Sequence, residues 1–520
     1  MVQNATFLLI VMTVALIAFM IQGYVTGRKA SNTSAEYMAA GGNMPFLPTC
    51  ATVLATFICG GTVLGGAGVA FMDGMQATIP DPFAACLCLI AGGFLFQGII
   101  RKTGALSAAS VYSDRYGQVG GLVSGVCTIF PMLFFAGAQI AAIGKLFQIV
   151  LNTSFMPIAL AAGVFITIYT VMGGITAVAW TDFIQISLLV LGVVVLFPIT
   201  LTKLNELGGH AYAVELMGEN FFNFGIQGDW TFTGIMTYLA LWIGASAGAM
   251  PGADIIQRSL VARTPRDARW AAVVAGVIMT GIGLLVVFIG GWGNVFMEQG
   301  MFTAQETAMI MSDSELLVPI LSTHLLPDWF VAIFFLGLLG AIISSADSAI
   351  FAPATVISND IIRFVAEKRN GGKPVEDKKL TNWTRYAVIG LGIVATLFGT
   401  FTQSVFTLMV IGFTIQISLF FPLLLALYWK RANAWGGVAG MASGLLTCAI
   451  LMISQGTIDY DPYWVLVFAP LAVTLVVQVA VSLATAKKCP PVPLTHRDGS
   501  IVKWPELAMN SFKHNADLAK

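Results

Sequence analysis

Long apolar runs alternate with short polar segments along the whole length of this chain. A helix needs about 20 mostly apolar residues to cross the hydrocarbon core of a bilayer, and 13 runs are long enough. The pattern therefore predicts an all-α polytopic membrane protein with 13 transmembrane helices. The predicted spans lie near residues 5–25, 47–70, 77–100, 119–151, 155–172, 181–204, 232–256, 268–297, 327–362, 381–402, 404–428, 436–455 and 462–486.

Composition supports that prediction. Of the 520 residues, 57% are hydrophobic and only 10% are charged, whereas an average protein carries about 25% charged residues. So few charges cannot solvate the surface of a soluble enzyme, and lipid must replace water over most of it. The 26 basic and 26 acidic residues balance, so net charge indicates no nucleic-acid partner. No catalytic nucleophile, dyad or cofactor motif is present in the sequence, and we expect neither enzyme activity nor a cofactor.

Basic residues accumulate on one side of the predicted membrane. When the loops are assigned alternately, all 26 lysines and arginines except Lys145 and Lys203 fall on the same side, and positive loops are typical of the cytoplasm. We therefore expect the N-terminus outside and the C-terminus, with a tail over 487–520, inside. The first run has no preceding basic segment and no small-residue cleavage site, so we expect a retained helix in the plasma (inner) membrane.

Cysteines and histidines indicate neither a disulfide framework nor a transition-metal centre. Six of the seven cysteines lie in apolar runs, and Cys489 stands alone in the tail. The four histidines lie in polar stretches and have no second ligand at metal-binding spacing. We expect the cysteines to be reduced.

Two apolar runs contain residues that weaken a helix at membrane depth. The run at 55–68 has five glycines in nine residues, and the run at 244–254 combines glycines with Pro251 and Asp254. An unwound backbone in a membrane is tolerated where it lines a cavity or is buried in protein. The two runs lie five spans apart, and such paired interruptions indicate an inverted-repeat transporter with its site between the repeats. Close packing by small residues is the alternative interpretation.

The ninth run carries the densest polar cluster of any apolar segment, formed by Ser344, Ser345, Asp347 and Ser348. A carboxylate at this depth costs at least about 2.5–3.5 kcal/mol unless it is compensated, and an alkali cation would compensate it. Sodium is a hard cation and prefers oxygen ligands, as calcium and magnesium do. The two adjacent serines could bind sodium together with carbonyl oxygens freed where the second run unwinds, at Ala55 and Ile58.

A third polar group marks the start of the sixth run. Residues 173–185 read Gly-Gly-Ile-Thr-Ala-Val-Ala-Trp-Thr-Asp-Phe-Ile-Gln. Thr181 and Asp182 suit the start of a helix, where a hydroxyl caps free N–H groups and an acid favours the helix dipole. Spacing alone does not separate this capping role from a role in ion binding.

Together these segments resemble the sodium:solute symporter family, which includes sodium-coupled glucose, proline, sialic acid and choline symporters. Residues 173–185 resemble the family signature GG-x-x-A-V-x-W-T-D-x-x-Q, and residues 341–360 resemble its sodium-binding eighth core helix. Gln257-Arg258 resembles the pair that follows the broken sixth core helix, and residues 36–42 resemble the segment before the first. The resemblance implies a LeuT-type five-plus-five inverted repeat with broken first and sixth core helices.

The same resemblance implies a division of the chain. Residues 1–26 would form an extra N-terminal helix, and residues 47–428 the transport core. Its repeats would be 47–204 and 232–428, followed by two C-terminal helices over 436–486.

Family members bind sodium through main-chain and serine oxygens, and the resemblance carries this role to particular positions. The implied sodium ligands are Ala55, Ile58, Ala341, Ser344 and Ser345. A second cation site, found in some family members, maps to Asp182, Ser344, Asp347 and Ser348. Asp347 stands where a serine is usual, so this position could hold a second sodium ion or a proton.

Within the family, residues 57–61 and 344–348 resemble the choline branch, which surrounds a quaternary ammonium group with aromatic rings. At the corresponding positions this chain has Phe57, Ala85, Phe135 and Gly252, so most of that cage is missing. Phe134 and Phe135 could equally be ordinary helix packing. The implied cavity is lined by Phe57, Phe134, Phe135, Gln139, Gly252, Asp254 and Gln416.

The leading hypothesis is therefore a symporter that imports a small polar organic solute with sodium. A zwitterion such as an amino acid or a betaine fits this mixed cavity. The alternatives are sodium- or proton-coupled uptake of an organic cation such as choline, uptake of a monocarboxylate, or a membrane sensor on the same fold. A channel fits poorly because the chain has no repeated filter sequence, and a sensor would need an appended signalling domain. The expected partners are the solute, Na+ and the lipid bilayer, with no metal other than sodium.

Overall fold

Helices account for nearly all of the architecture that the computed structural model describes. The described residues are 5–30, 42–105, 107–151, 153–227, 230–371, 373–401, 404–455, 462–495 and 500–501, without the side chains of 23, 26–30, 173–180 and 455. The segment at 36–41 and most of the predicted tail therefore lie outside the described residues. Within the described part of the chain, pairing of extended backbone is limited to two isolated bridges.

The helices follow the predicted apolar runs. In chain order they are α1 (Ala5–Ala30), α2 (Phe46–Phe57), α3 (Gly66–Asp73), α4 (Ala85–Gly92), α5 (Gly98–Thr103), α6 (Ala108–Leu151), α7 (Phe155–Glu206), α8 (Gly209–Met217), α9 (Phe232–Ala249), α10 (Ala253–Val261), α11 (Pro265–Glu298), α12 (Ala304–Ser312), α13 (Leu317–Leu325), α14 (Asp328–Thr355), α15 (Arg363–Arg369), α16 (Asp377–Phe401), α17 (Val405–Gln416), α18 (Phe420–Tyr428), α19 (Ala434–Gln455) and α20 (Tyr463–Thr485). Short π-helical turns at Gly61–Gly65, Ile79–Ala84, Gly93–Gln97 and Val356–Ile362 lie within or between them.

The number of membrane spans agrees with the sequence prediction. Among the described residues, 12 helical segments are long and apolar enough to cross a membrane, and a bent pair makes the count 13. The helix α7 contributes two of these segments, Phe155–Met172 and Thr181–Glu206. The predicted all-α polytopic fold with 13 spans is thus confirmed.

The first predicted break lies between α2 and α3. The helix α2 ends at Phe57 because Ile58 has extended backbone angles (φ −79°, ψ 95°). The segments on either side, Phe46–Phe57 and Gly61–Asp73, are inclined to one another by 51°. The last carbonyl groups of α2 consequently lose their helical partners at membrane depth.

The second predicted break separates α9 from α10. The helix α9 ends at Ala249, and α10 begins at Ala253 after Gly252, whose ψ of 134° is extended. The far end of α10 is fixed to the chain that precedes α2, because Met44 N donates to Val261 O at 2.9 Å and Arg263 N donates to Met44 O at 2.9 Å. The two broken helices are therefore joined at the same end of the bundle.

Glycines allow the broken helices to pack closely against their neighbours. A Cβ atom at Gly290 of α11 would lie 2.3 Å from the carbonyl oxygen of Ala67 in α3. A Cβ atom at Gly248 of α9 would lie 2.1 Å from the carbonyl oxygen of Phe413 in α17. Small residues of this kind let membrane helices approach at backbone distance.

A buried ion cluster joins three segments at one end of the bundle. Lys145 Nζ of α6 is 2.6 Å from a carboxylate oxygen of Asp313 and 2.6 Å from one of Glu315. Glu315 also accepts hydrogen bonds from the backbone N–H groups of Val405 (3.1 Å) and Phe406 (3.0 Å) at the start of α17. The loop segment at 313–315 is thereby fixed to both α6 and α17.

We predict that Lys145→Met destabilises the protein by about 3–5 kcal/mol, because it leaves two carboxylates without their cation. The measurement is thermal unfolding of purified protein in detergent. The matched control is Lys203→Met, which removes an exposed pair with Glu206 and should cost about 0–1 kcal/mol. Equal effects of the two substitutions would contradict a structural role for the buried cluster.

Candidate functional site

The implied sodium ligands come from the first broken helix and from α14. Ser345 Oγ donates a hydrogen bond to Ala55 O at 2.8 Å, although 290 residues separate them in sequence. Ala55 is in the last turn of α2, so its carbonyl is free to take a partner outside that helix. Ile58 is the next residue after α2, and Ala341 lies one turn before Ser345 in α14; both are fully buried. Oxygen atoms from the two elements therefore meet, as a hard cation requires.

Ser344 faces a different neighbour from Ser345. Its Oγ donates to Asp182 Oδ1 in α7 at 2.5 Å. The structure therefore places Ser344 beside Asp182, whereas Ser345 contacts Ala55. The two adjacent hydroxyls connect the implied first and second cation sites.

The neighbour of Asp182 that sequence reasoning missed is Arg258. Its Nη2 atom lies 3.5 Å from Asp182 Oδ2, and both side chains are almost completely buried. The same guanidinium donates from Nε to Thr56 Oγ1 at 3.2 Å and from Nη2 to Ser348 Oγ. A guanidinium therefore lies among the residues of the implied second cation site.

Asp182 has one more partner, the hydroxyl of Thr52 in α2, which donates to Oδ2. With Ser344 and Arg258, this gives the carboxylate contacts from three different helices. The alternative interpretation of Asp182 as a helix cap does not account for these contacts.

Asp347 lies on the same helix as Ser344 and is only 3% exposed. It lies one helical turn after Ser344 in α14, so that it interacts electrostatically with Asp182 and Arg258. Arg258 Nη1 has no hydrogen-bond partner among the described residues. Among the described residues, this region thus contains two carboxyl groups but a single guanidinium, so Arg258 cannot neutralise both acids if both ionise.

The first break also carries a polar contact from α6. Gln139 Oε1 accepts a hydrogen bond from Gly60 N at 3.2 Å, and its Nε2 lies 3.4 Å from Cys59 Sγ. Met409 of α17 completes this group, with its sulfur 3.9 Å from Cys59 Sγ. The predicted cavity residue Gln139 is therefore in direct contact with the unwound backbone.

The second break brings together three predicted cavity residues. A Cβ atom at Gly252 would lie 2.4 Å from Asp254 Oδ1 and 3.3 Å from Gln416 Nε2. Gln416 Nε2 is buried and has no hydrogen-bond partner among the described residues. An amide donor at the break is thus available to an acceptor other than the protein.

The predicted aromatic residues do not form one group. Phe134 packs against Phe398 of α16 with ring centroids 4.7 Å apart and the rings tilted by 37°, which is ordinary helix packing. Phe135 faces Phe413 of α17 at 6.5 Å. Phe57 is buried in the last turn of α2. Phe135 thus approaches α17, which also carries Met409 and Gln416 and so passes both breaks.

A further carboxylate, Asp81, also escaped sequence reasoning. It lies in the segment Ile79–Ala84 at the start of the third span, between Pro80 and Pro82, and its side chain is 1% exposed. Both of its carboxylate oxygens are 3.1 Å from Thr62 Oγ1, just beyond the first break. The sequence feature that could have identified Asp81 is an acidic residue between two prolines inside an apolar run.

Comparisons with known proteins agree with this architecture. The chain is 25% identical over 431 residues to a high-affinity choline transporter of Caenorhabditis elegans, covering 80% of this chain and 71% of the relative. It is also 25% identical over 444 residues to the uncharacterized symporter YwcA of Bacillus subtilis, covering 84% and 83%. Among solved structures, a Na+-coupled sialic acid symporter in a substrate-bound outward-open state superposes with a TM-score of 0.74 at 19% identity, covering 94% of this chain and 99% of that one.

The fold likeness supports the inverted repeat that the paired breaks predicted and the five-plus-five arrangement that the family resemblance implied. The family model of the sodium:solute symporters matches residues 37–444. This match includes both broken helices, α14 and the Arg258 cluster. The chain belongs to the sodium:solute symporter family.

Proposed function

We propose that this protein imports a small organic solute carrying a positively charged nitrogen, and that sodium drives the uptake. The observation that carries the proposal is the 2.8 Å contact between Ser345 Oγ and Ala55 O. It joins the first broken helix to α14 through two oxygen atoms that a sodium ion could share. Sodium bound there would favour one arrangement of the two elements and thereby couple its own binding to that of the solute.

Charge around the breaks supports the proposed class of solute. Asp81 and Asp254 are buried carboxylates near the first and second breaks respectively. The N–H groups in the first turn of α10 already interact with the carboxylate of Asp254, so this helix start is a poor place for a carboxylate of the solute. These features favour a zwitterion or an organic cation over a monocarboxylate.

For the sodium site itself we propose oxygen ligands from Ala55, Ile58, Ala341, Ser344 and Ser345. The second cation site would use Asp182, Ser344, Asp347 and Ser348, with Arg258 neutralising Asp182. Inward transport also fits the orientation proposed from the basic residues, in which the C-terminus lies in the cytoplasm.

We predict that the double substitution Ser344→Ala and Ser345→Ala weakens sodium binding by about tenfold or more, since hydrogen-bonding groups that contact a charge contribute about 1.5–3 kcal/mol each. Sodium-induced thermal stabilisation of the purified protein, titrated at constant ionic strength with potassium, measures the affinity. Ser443→Ala is the control, because that hydroxyl bonds back to Gly440 O within α19. An unchanged half-saturation in the double variant would remove both serines from the site.

A separate prediction concerns the excess negative charge at Asp347. Since Arg258 compensates a single carboxylate, a second coupled cation should neutralise the other. In solute-driven current recordings on proteoliposomes, Asp347→Asn should lower the Hill coefficient for sodium toward one if that cation is sodium. If it is a proton, the same substitution should abolish the pH dependence of transport. Wild-type behaviour of the variant in both titrations would show that Asp347 carries no coupled cation.

A further inference from the structure

Asp81 is held in place by an interruption of its own helix. Its backbone angles (φ −144°, ψ 120°) are extended within an otherwise helical segment. The flanking residues Pro80 and Pro82 have no N–H group to donate, so a regular helix cannot continue through this point. The side chain is thereby directed at Thr62 on the far side of the first break.

The carboxylate of Asp81 is poorly compensated within the protein. Thr62 Oγ1 has one proton, yet it lies 3.1 Å from each carboxylate oxygen and 3.0 Å from Phe57 O. The basic residues whose ion pairs are described contact other acids, and none of these pairs includes Asp81. A buried carboxylate that has no paired cation favours the approach of a positive charge.

Asp81 lies beside the unwound backbone of the first break. A Cβ atom at Gly61 would lie 3.3 Å from Asp81 Oδ2, and it would collide with the sulfur of Met409. Met409 also contacts Cys59 and Gln139. The carboxylate therefore lies near a group of residues that includes Gln139, one of the predicted cavity residues.

The atoms around Asp81 discriminate between possible cations. A sodium ion prefers several oxygen ligands, whereas Asp81 has one hydroxyl nearby and two sulfur atoms, from Cys59 and Met409, beside the break. Polarizable sulfur and a single carboxylate suit an ammonium group with alkyl substituents better.

We propose that Asp81 is the counter-ion of the positively charged nitrogen of the transported solute, and that it selects ammonium compounds over neutral ones of the same shape. This assignment rests on the proposed function. It names the side chain that would distinguish solutes by charge, with Thr62 orienting the carboxylate. Cys59 and Met409 would contact the apolar part of the solute.

The test compares charged and neutral probes of matched shape. The purified full chain, in sodium, is titrated with tetramethylammonium, glycine betaine, choline and 3,3-dimethylbutan-1-ol, the last being choline with carbon in place of nitrogen. Thermal stabilisation reports binding. We expect at least one ammonium compound to stabilise the wild type at concentrations where the neutral alcohol does not.

In Asp81→Asn the affinity for that ammonium compound should fall by on the order of 30-fold or more, as when one partner of a buried charge pair is removed. Asp73→Asn is the matched control, since it makes the same change at an exposed position eight residues earlier. Asp81→Glu should retain the preference for the charged probe. If Asp81→Asn does not fold, the comparison of choline with the alcohol in the wild type and in Asp81→Glu decides the question.

Several outcomes would overturn the assignment. They are the absence of stabilisation by every ammonium probe, equal stabilisation by choline and the alcohol, and unchanged ammonium affinity in Asp81→Asn. A loss of the sodium or pH response in Asp81→Asn with unchanged ammonium affinity would overturn it too. The proposed function fails separately if sodium does not stabilise the wild type, whatever the probes do.

Discussion

A charged guanidinium buried inside a membrane protein needs compensation from several directions, and Arg258 obtains it from three helices at once. Asp182 of α7, Thr56 of α2 and Ser348 of α14 all contact this side chain from α10. Loss of Asp182 would leave an uncompensated ion in a medium that solvates it poorly. This one cluster therefore ties both broken helices and α14 to α7.

The breaks themselves obey a related constraint, because free backbone groups cannot bond to water at membrane depth. Side chains satisfy them instead. Ala55 O accepts from Ser345, and Gly60 N donates to Gln139. Such bonds can exchange for bonds to an ion or a solute with little net cost, since each replaces a partner rather than creating a new requirement. A helix break whose free backbone groups are hydrogen-bonded to side chains is thus compatible with both a stable fold and reversible binding.

Acids inside the bundle differ in how their charge is compensated, and this difference separates structural ion pairs from acids that can bind a cation. Asp313 and Glu315 share Lys145, and Asp182 shares Arg258, so these acids are fixed within the structure. Asp81 has only a hydroxyl as its polar contact. The paired acids join helices, whereas Asp81, like Asp347, is available to a positive charge from outside the protein.

Much of this protein follows from local properties of its sequence. The sequence directly predicts the span lengths, the two glycine-rich breaks and the polar cluster at 344–348. Hydrophobic length and helix propensity depend on neighbouring residues, so no knowledge of the tertiary structure is needed. Local sequence patterns do not reveal how the helices are rotated about their axes relative to one another. That rotation decides that Ser345 contacts Ala55 while Ser344 contacts Asp182, and that Arg258 neutralises Asp182. Only the tertiary structure decides such contacts, because they join residues between 76 and 290 positions apart whose distances depend on packing over the whole bundle.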